Sequence, residues 1–323
     1  MLIRRTLLLA GLLCASAAPV LAQANWPSKP IRIVVPYGPG SSPDVLVRLF
    51  SDKLGKSLGQ PVIVENKPGA GGNTGTDFVA KAAPDGYTFL VSTNGPLVYS
   101  TVFNPKLPYD PFKDLAPVTL AGVQPNVCAV SNDMKVDDVK GWVAAMKKDP
   151  GKYNYSSTGV GSMSHLSVEI VKLKSDSYAV HLPYASSPLA ILAIMQGDVH
   201  FACVPPVAVM PQAKAGKLKA IAVTSAKRSK LAPELPTMAE SGFPDIQALA
   251  WMAIMAPAKT PPDIINRMSK EISAILAESE TQQKLAVAYM ESVGSTPEEL
   301  AKWMVEERQR WAPVIKHVGL SAN

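Results

Sequence analysis

The stretch Ile31-Arg32-Ile33-Val34-Val35-Pro36-Tyr37-Gly38-Pro39-Gly40-Ser41-Ser42-Pro43-Asp44 decides the fold. A β-branched run is stopped by proline, and small residues follow. Then comes a helix start: a hydroxyl cap, proline at the first helical position and an acid in the first turn. Val45, Leu46, Leu49, Phe50 and Leu54 continue at helical spacing. Strand, small-residue turn and helix is the repeating unit of a sheet with helical crossovers.

The unit recurs along the chain. Glu65-Asn66-Lys67-Pro68-Gly69-Ala70-Gly71-Gly72-Asn73-Thr74-Gly75 joins a strand at 62–64 to a helix at about 73–82. Tyr155-Ser156-Ser157-Thr158-Gly159-Val160-Gly161-Ser162-Met163-Ser164-His165 joins a strand at 153–157 to a helix at about 164–172. Further strands are expected at 88–92, 128–130, 179–182, 199–203 and 219–224. Helices are expected at 136–147, 188–195 and 207–215, and at 262–277, 282–289 and 297–318 near the end. The polar stretch 225–236 reads as a linker, and the motifs show no internal repeat. The fold class is α/β, as a parallel sheet with helical crossovers. Two such units with a helical tail make two lobes, and clefts between lobes hold small ligands.

At 323 residues the chain has room for about two domains. With 47% hydrophobic and 18% charged residues it has ample apolar surface to bury, which excludes disorder and coiled coil. Twenty-nine prolines and 21 glycines fit many short, sharply stopped elements. Arg4 and Arg5, the small apolar stretch 7–18 and Val20-Leu21-Ala22 read as a secretory signal peptide over 1–22, cleaved after Ala22. The apolar run is shorter than the ~20 residues that span a bilayer. The longest later run, 248–258, is shorter still. Losing Arg4 and Arg5 lowers the formal charge from +6 to +4. Short basic clusters such as Lys227-Arg228-Ser229-Lys230 read as solvated surface. No basic stripe is interleaved with aromatics, so nucleic acid is not expected as a partner. In an oxidising compartment Cys128 and Cys203 have the option of pairing. The burial habit of cysteine favours two buried free thiols instead.

Three turns at the same end of successive strands carry the chemistry. Small residues let a ligand approach the backbone, and the N–H groups of a helix start attract an anion. The hydroxyls of Ser41, Ser42, Thr158 and Ser162 add donors. Carboxylate or phosphate is the matching ligand chemistry. Enzyme signatures are not met. Thr74 stands where G-x-G-x-x-G needs its third glycine, and no phosphate loop or nucleophile elbow is present. His165, His181, His200 and His317 lack metal spacing, so no metal or cofactor is expected. His165 and Glu169, four apart, read as a surface or capping pair and not as an acid–base couple. The expectation is a chain that is not an enzyme.

At these turns the sequence resembles the periplasmic substrate-binding receptors of tripartite tricarboxylate transporters, the TctC-like or Bug receptors. The family's first loop is P-[FY]-x-P-G-G-x-x-D-x-x-x-R, matched by Pro36 through Asp44 and then Arg48. The second loop, Glu65 to Asn73, matches throughout. So do Pro84-Asp85-Gly86-Tyr87-Thr88, Gly159-Val160-Gly161-Ser162 with His165-Leu166, Pro183-Tyr184 and Pro236-Thr237-Met238-Ala239-Glu240-Ser241-Gly242. Ser41 departs from the second glycine of the first loop, and Ala185-Ser186 from a Lys-Gly pair.

The resemblance implies a type II-like periplasmic binding protein with its ligand cleft between two lobes. Lobe one is expected over 23–122 and 228–323, and lobe two over 123–227. Tyr37 is expected as an aromatic wall. Gly40, Ser41 and Ser42 are expected as donors on one side, and Ala70, Gly71, Gly72 and Asn73 on the other. Thr158, Gly161, Ser162 and Tyr184 close from lobe two, and Asp44 supports its helix start. The implied ligand is a small di- or tricarboxylate, an amino acid or an aromatic carboxylate. The implied partners are the membrane subunits of such a transporter. A ligand sensor docking on a membrane signalling protein, and an exported α/β hydrolase, are the alternatives.

Overall fold

The computed structural model describes residues 26–244 and 246–320. The expected signal peptide lies outside the described residues. The chain opens with β1 (Ile31–Val35), α1 (Ser42–Leu58), β2 (Val62–Asn66), α2 (Asn73–Ala80) and β3 (Thr88–Thr93). A π-helical turn at Gly95–Tyr99 leads into α3 (Ser100–Phe103), and then β4 (Leu115–Pro125) runs to the edge of the first lobe. The second lobe holds β5 (Val127–Val130), α4 (Val139–Lys148), β6 (Asn154–Ser157) and α5 (Met163–Ser175). It continues through β7 (Val180–Pro183), α6 (Ser187–Gln196), β8 (Phe201–Val204), α7 (Pro206–Lys214) and β9 (Lys219–Val223). The chain then returns through β10 (Leu249–Pro257), α8 (Pro262–Ala277), α9 (Ser279–Val287), β11 (Glu291–Ser292) and α10 (Pro297–Val318).

Two sheets result. The first has the order β11-β4-β10-β3-β1-β2 and the second β7-β6-β8-β5-β9. Each is mixed, which differs from the all-parallel expectation. In the first, β1 pairs parallel to β2 and β3, while β10 and β4 run antiparallel. In the second, β6 is parallel to β7 and β8, while β5 is antiparallel to β8 and β9. β10, which begins just after the last crossing, is antiparallel to both of its neighbours, and the short β11 is antiparallel to β4. β10 is buried along most of its length, as a central strand covered on both faces must be.

Helix α1 shows how sequence becomes packing. Pro43 presets its first turn, and Gly59, at φ 72, closes it with its N–H on the Gly55 carbonyl. Its apolar face places Leu46, Phe50 and Leu54 against Ile31, Ile33 and Phe89, all fully buried. Each such side chain contributes about 1.5–3 kcal/mol by burial.

The crossings lie side by side. Asn126 alone separates β4 from β5, and Thr224 follows β9. The Asn126 N–H donates to Thr224 Oγ1 at 2.9 Å, and the Thr224 N–H to the Asn126 carbonyl at 3.0 Å. Thr224 Oγ1 donates to the Ala248 carbonyl at 2.7 Å, beside the start of β10. These hydrogen bonds tie together the segments where the chain crosses between the sheets.

Cys128 and Cys203 form a disulfide, which corrects the expectation of free thiols. The burial habit holds, since both are buried. The deciding fact is register: Cys128 of β5 stands directly opposite Cys203 of β8, with Cα atoms 3.9 Å apart.

Candidate functional site

The loops leaving β1, β2 and β6 face one another across the two lobes, and the lobes touch. The Gly38 N–H donates to the Ala185 carbonyl at 3.1 Å. Gly71 and Gly159 meet backbone to backbone, and a Cβ on Gly159 would lie 2.4 Å from Gly71 Cα. Gly159 sits at φ +124, a conformation that side chains rarely adopt. The cleft is closed.

Behind that contact lies a cavity of about 40 Å³, space for roughly three waters. Tyr37, Ser41, Ser42, Asn126, Thr158 and Ser187 line it, with Gln124 beside them and Met163 and Met252 as apolar walls. The starts of three helices border it: α1 at Ser42 and Pro43, α5 at Met163 and Ser164, and α6 at Ser187. Each helix start attracts an anion by about 0.3–1 kcal/mol, more when buried. None of the described lining side chains is charged. Ser41, Gln124, Asn126 and Ser187 are at most 3% exposed. Even so, Ser41 Oγ, Ser187 Oγ, Gln124 Oε1 and both side-chain amide atoms of Asn126 have no hydrogen-bond partner among the described residues. Buried polar atoms are normally paired, and leaving one unpaired costs about 1–3 kcal/mol.

A wider cavity of about 430 Å³ shares Tyr37 and Thr158 with the deep one and is lined by Ala70, Gly71, Gly72, Asn73 and Tyr184. Burial pushes the Tyr37 phenol up to about 12, against a hydrogen bond from Thr93 that lowers it, so the ring meets an anion uncharged. Its hydroxyl bonds to Thr93 Oγ1 at 2.7 Å and the Gly71 carbonyl at 3.2 Å, tying the first loop to the second. Asn73 Oδ1 accepts from the Tyr109 hydroxyl at 2.7 Å.

The remaining expected site residues line neither cavity. Gly40 donates its N–H to Asp44 Oδ2 at 2.9 Å, and Asp44 Oδ1 accepts from Arg48 Nε at 3.0 Å and Asn66 Nδ2 at 2.9 Å. Burial alone would raise the Asp44 carboxyl, but these donors outweigh it and hold the carboxyl below its ordinary range. Its acceptor capacity is spent on the helix start. Gly161 donates its N–H to His165 Nδ1 at 3.1 Å. The Ser162 hydroxyl caps α5 and donates to the Gly159 carbonyl at 2.7 Å, so it is engaged within its own loop.

His165 and Glu169, expected as a surface or capping pair, lie 3.8 Å apart and largely buried. His165 is buried and stacks on His181 with ring centroids 3.9 Å apart, beside Tyr155. Burial and then the Lys172 charge push His165 down to about 4. Burial, with His165 next, pushes His181 down to about 3. Glu169 is taken by Lys172 at 2.6 Å and by the Tyr155 hydroxyl. This neutral stack supports the loop that carries Gly159.

Asn126, Gln124 and Ser187 were missed by sequence reasoning. A signal for Ser187 existed: Ser186-Ser187-Pro188 copies Ser41-Ser42-Pro43, and each tripeptide starts a helix bordering the cavity. The two face each other, since a Cβ on Gly40 would lie 3.4 Å from Pro188 Cγ.

The family model described as "Tripartite tricarboxylate transporter family receptor" matches residues 46–320. The protein BugT of Bordetella pertussis is 36% identical over 319 residues, covering 98% of each chain. A solved structure of R. palustris Rpa4515 with adipate superposes with a TM-score of 0.88 at 30% identity, over 92% of this chain and 99% of that one. The periplasmic binding protein BugD superposes with a TM-score of 0.88 at 29% identity, over 92% and 100%.

Proposed function

The chain belongs to the tripartite tricarboxylate transporter receptor family, and from that premise we propose a periplasmic receptor that closes on a small carboxylate and delivers it to the membrane subunits of such a transporter. One observation carries the reading: three helix starts and four buried side chains with unpartnered polar atoms converge on one cavity between touching lobes. Such a place favours an anion without needing a cationic side chain. The adipate-bound relative supports a carboxylate. The leader-like segment at 1–22 and the BugD relationship support the periplasm.

In this reading Tyr37, Ser41, Ser42 and Thr158 line the inner site, joined by Asn126 and Ser187. Ala70, Gly71, Gly72, Asn73 and Tyr184 form its outer part, while Gly40, Asp44, Gly161 and Ser162 shape the loops. Lobe one comprises 23–122 and 228–323 and lobe two 123–227, with Thr237 reaching back to pair beside Val223. The lobes turn about Asn126, Thr224 and Ala248. Ligand leaves unchanged, so the protein acts by binding and not by turnover.

A thermal-shift panel of citrate, malate, aspartate, nicotinate and terephthalate tests the reading. At one hundred times Kd a ligand stabilises by about 2.7 kcal/mol, a shift of several degrees. A neutral sugar that shifts the transition while every carboxylate fails would overturn it. Recovery of the bound acid intact after long incubation tests the absence of turnover.

A further inference from the structure

The unpartnered atoms of the deep cavity are of two kinds. Ser41 Oγ, Ser187 Oγ and Asn126 Nδ2 donate, and they suit a carboxylate. Gln124 Oε1 and Asn126 Oδ1 only accept, and they are equally buried and unpartnered. Gln124 is oriented this way because its Nε2 donates to Ser42 Oγ at 2.7 Å. A carboxylate oxygen placed against these carbonyl oxygens is repelled, so they require a donor on the ligand.

An ammonium group is one such donor, but the nearby carboxylate of Asp44 is filled by Gly40, Arg48 and Asn66. A buried charge needs a partner of opposite sign. A neutral N–H or O–H meets the acceptors without that cost. A primary amide fits best, because it pairs with the side-chain amide of Asn126 through one donated and one accepted hydrogen bond. Ser41, which lines this cavity, and Ala185, which lines the wider one, are positions where the chain departs from its family pattern.

We infer that this cavity, together with the wider one that shares Tyr37 and Thr158 with it, selects a monocarboxylate bearing a neutral hydrogen-bond donor, an amide foremost, over a dicarboxylate or an amino acid of the same length. The inference rests on the carboxylate reading above and adds the far end of the ligand to it. It separates this chain from the relative solved with adipate.

Calorimetric titration of the full mature chain with succinate, succinamate and 4-aminobutyrate, and with the corresponding glutarate set, tests it. Succinamate or glutaramate is expected to bind about tenfold or more tighter than its two length-matched analogues. Asn126→Leu, similar in size and apolar, is expected to bring that preference below about threefold. Circular dichroism checks the variant's fold, and the wild-type ranking decides by itself if the variant does not fold. The inference is overturned if a dicarboxylate or the amino acid binds as tightly as the amide, if the preference survives in a folded Asn126→Leu, or if none of the six binds. The last result leaves the carboxylate reading to the wider thermal-shift panel, so the two fail separately.

Discussion

Gly71 of lobe one and Gly159 of lobe two press backbone against backbone, so closely that a single carbon on Gly159 would come within 2.4 Å of Gly71 Cα. Closure of the cleft therefore depends on two positions having no side chain. The hydrogen bond from Gly38 to Ala185 joins the two lobes beside this contact.

Gly159→Val is expected to hold the lobes apart. Overpacking of this kind costs about 1–3 kcal/mol, which predicts a roughly tenfold to hundredfold loss of ligand affinity. Small-angle scattering would show a larger radius of gyration in the presence of ligand than the wild type gives. Wild-type affinity in this variant would remove the contact from closure.

Asp44 anchors the first loop. Asp44→Ala leaves three donors unmatched and is expected to lower stability by about 1–3 kcal/mol, the half-exposed Arg48 contributing least. Because the folded carboxyl titrates below its ordinary value, its contribution is present above about pH 4 and lost as the pH falls further. Urea unfolding of wild type and variant should therefore converge below about pH 4.

The stacked histidines act in a different window. Both are held neutral in the folded protein, at about 4 for His165 and about 3 for His181, whereas the unfolded chain binds their protons near 6.5. Stability is thus full above pH 6.5 and declines as the pH falls toward 4. His181→Phe removes one of the two groups and should flatten the melting-temperature profile across that window. An unchanged slope would contradict the burial of a neutral ring.

The disulfide joins residues 75 apart in sequence. Replacing both Cys128 and Cys203 by serine is expected to cost about 2–4 kcal/mol, seen as a melting temperature lower by several degrees. Reductant should produce a similar shift in the wild type and none in the variant.

Much of the first lobe was legible because its punctuation is local. Pro36, the Ser-Pro-Asp helix start and Gly59 bound β1 and α1 in sequence as they do in space. β4 escaped because Pro117, Gly122 and Pro125 interrupt any strand pattern, and β10 because a doubly covered strand shows no alternation. Of the residues lining the deep cavity, Ser41, Ser42 and Thr158 were picked out by small-residue turns before helices and Tyr37 by the family resemblance, whereas Ser162, read the same way, does not line it. Asn126 was not legible, since its place comes from topology: it is the lone residue between strands of different sheets. Gln124 lies on one of those illegible strands. Ser187 was readable only by comparing the two Ser-Ser-Pro tripeptides.

The central claim is that an anionic ligand is held at the helix starts around Ser41. Calorimetric titration of the carboxylate that gives the largest thermal shift, against wild type and Ser41→Asp, tests it most directly. Aspartate caps a helix as well as serine does, so the fold is retained while a like charge enters the cavity. Binding in the wild type and a loss of affinity on the order of a hundredfold or more in Ser41→Asp is the predicted result. Equal affinity in the two proteins would contradict it.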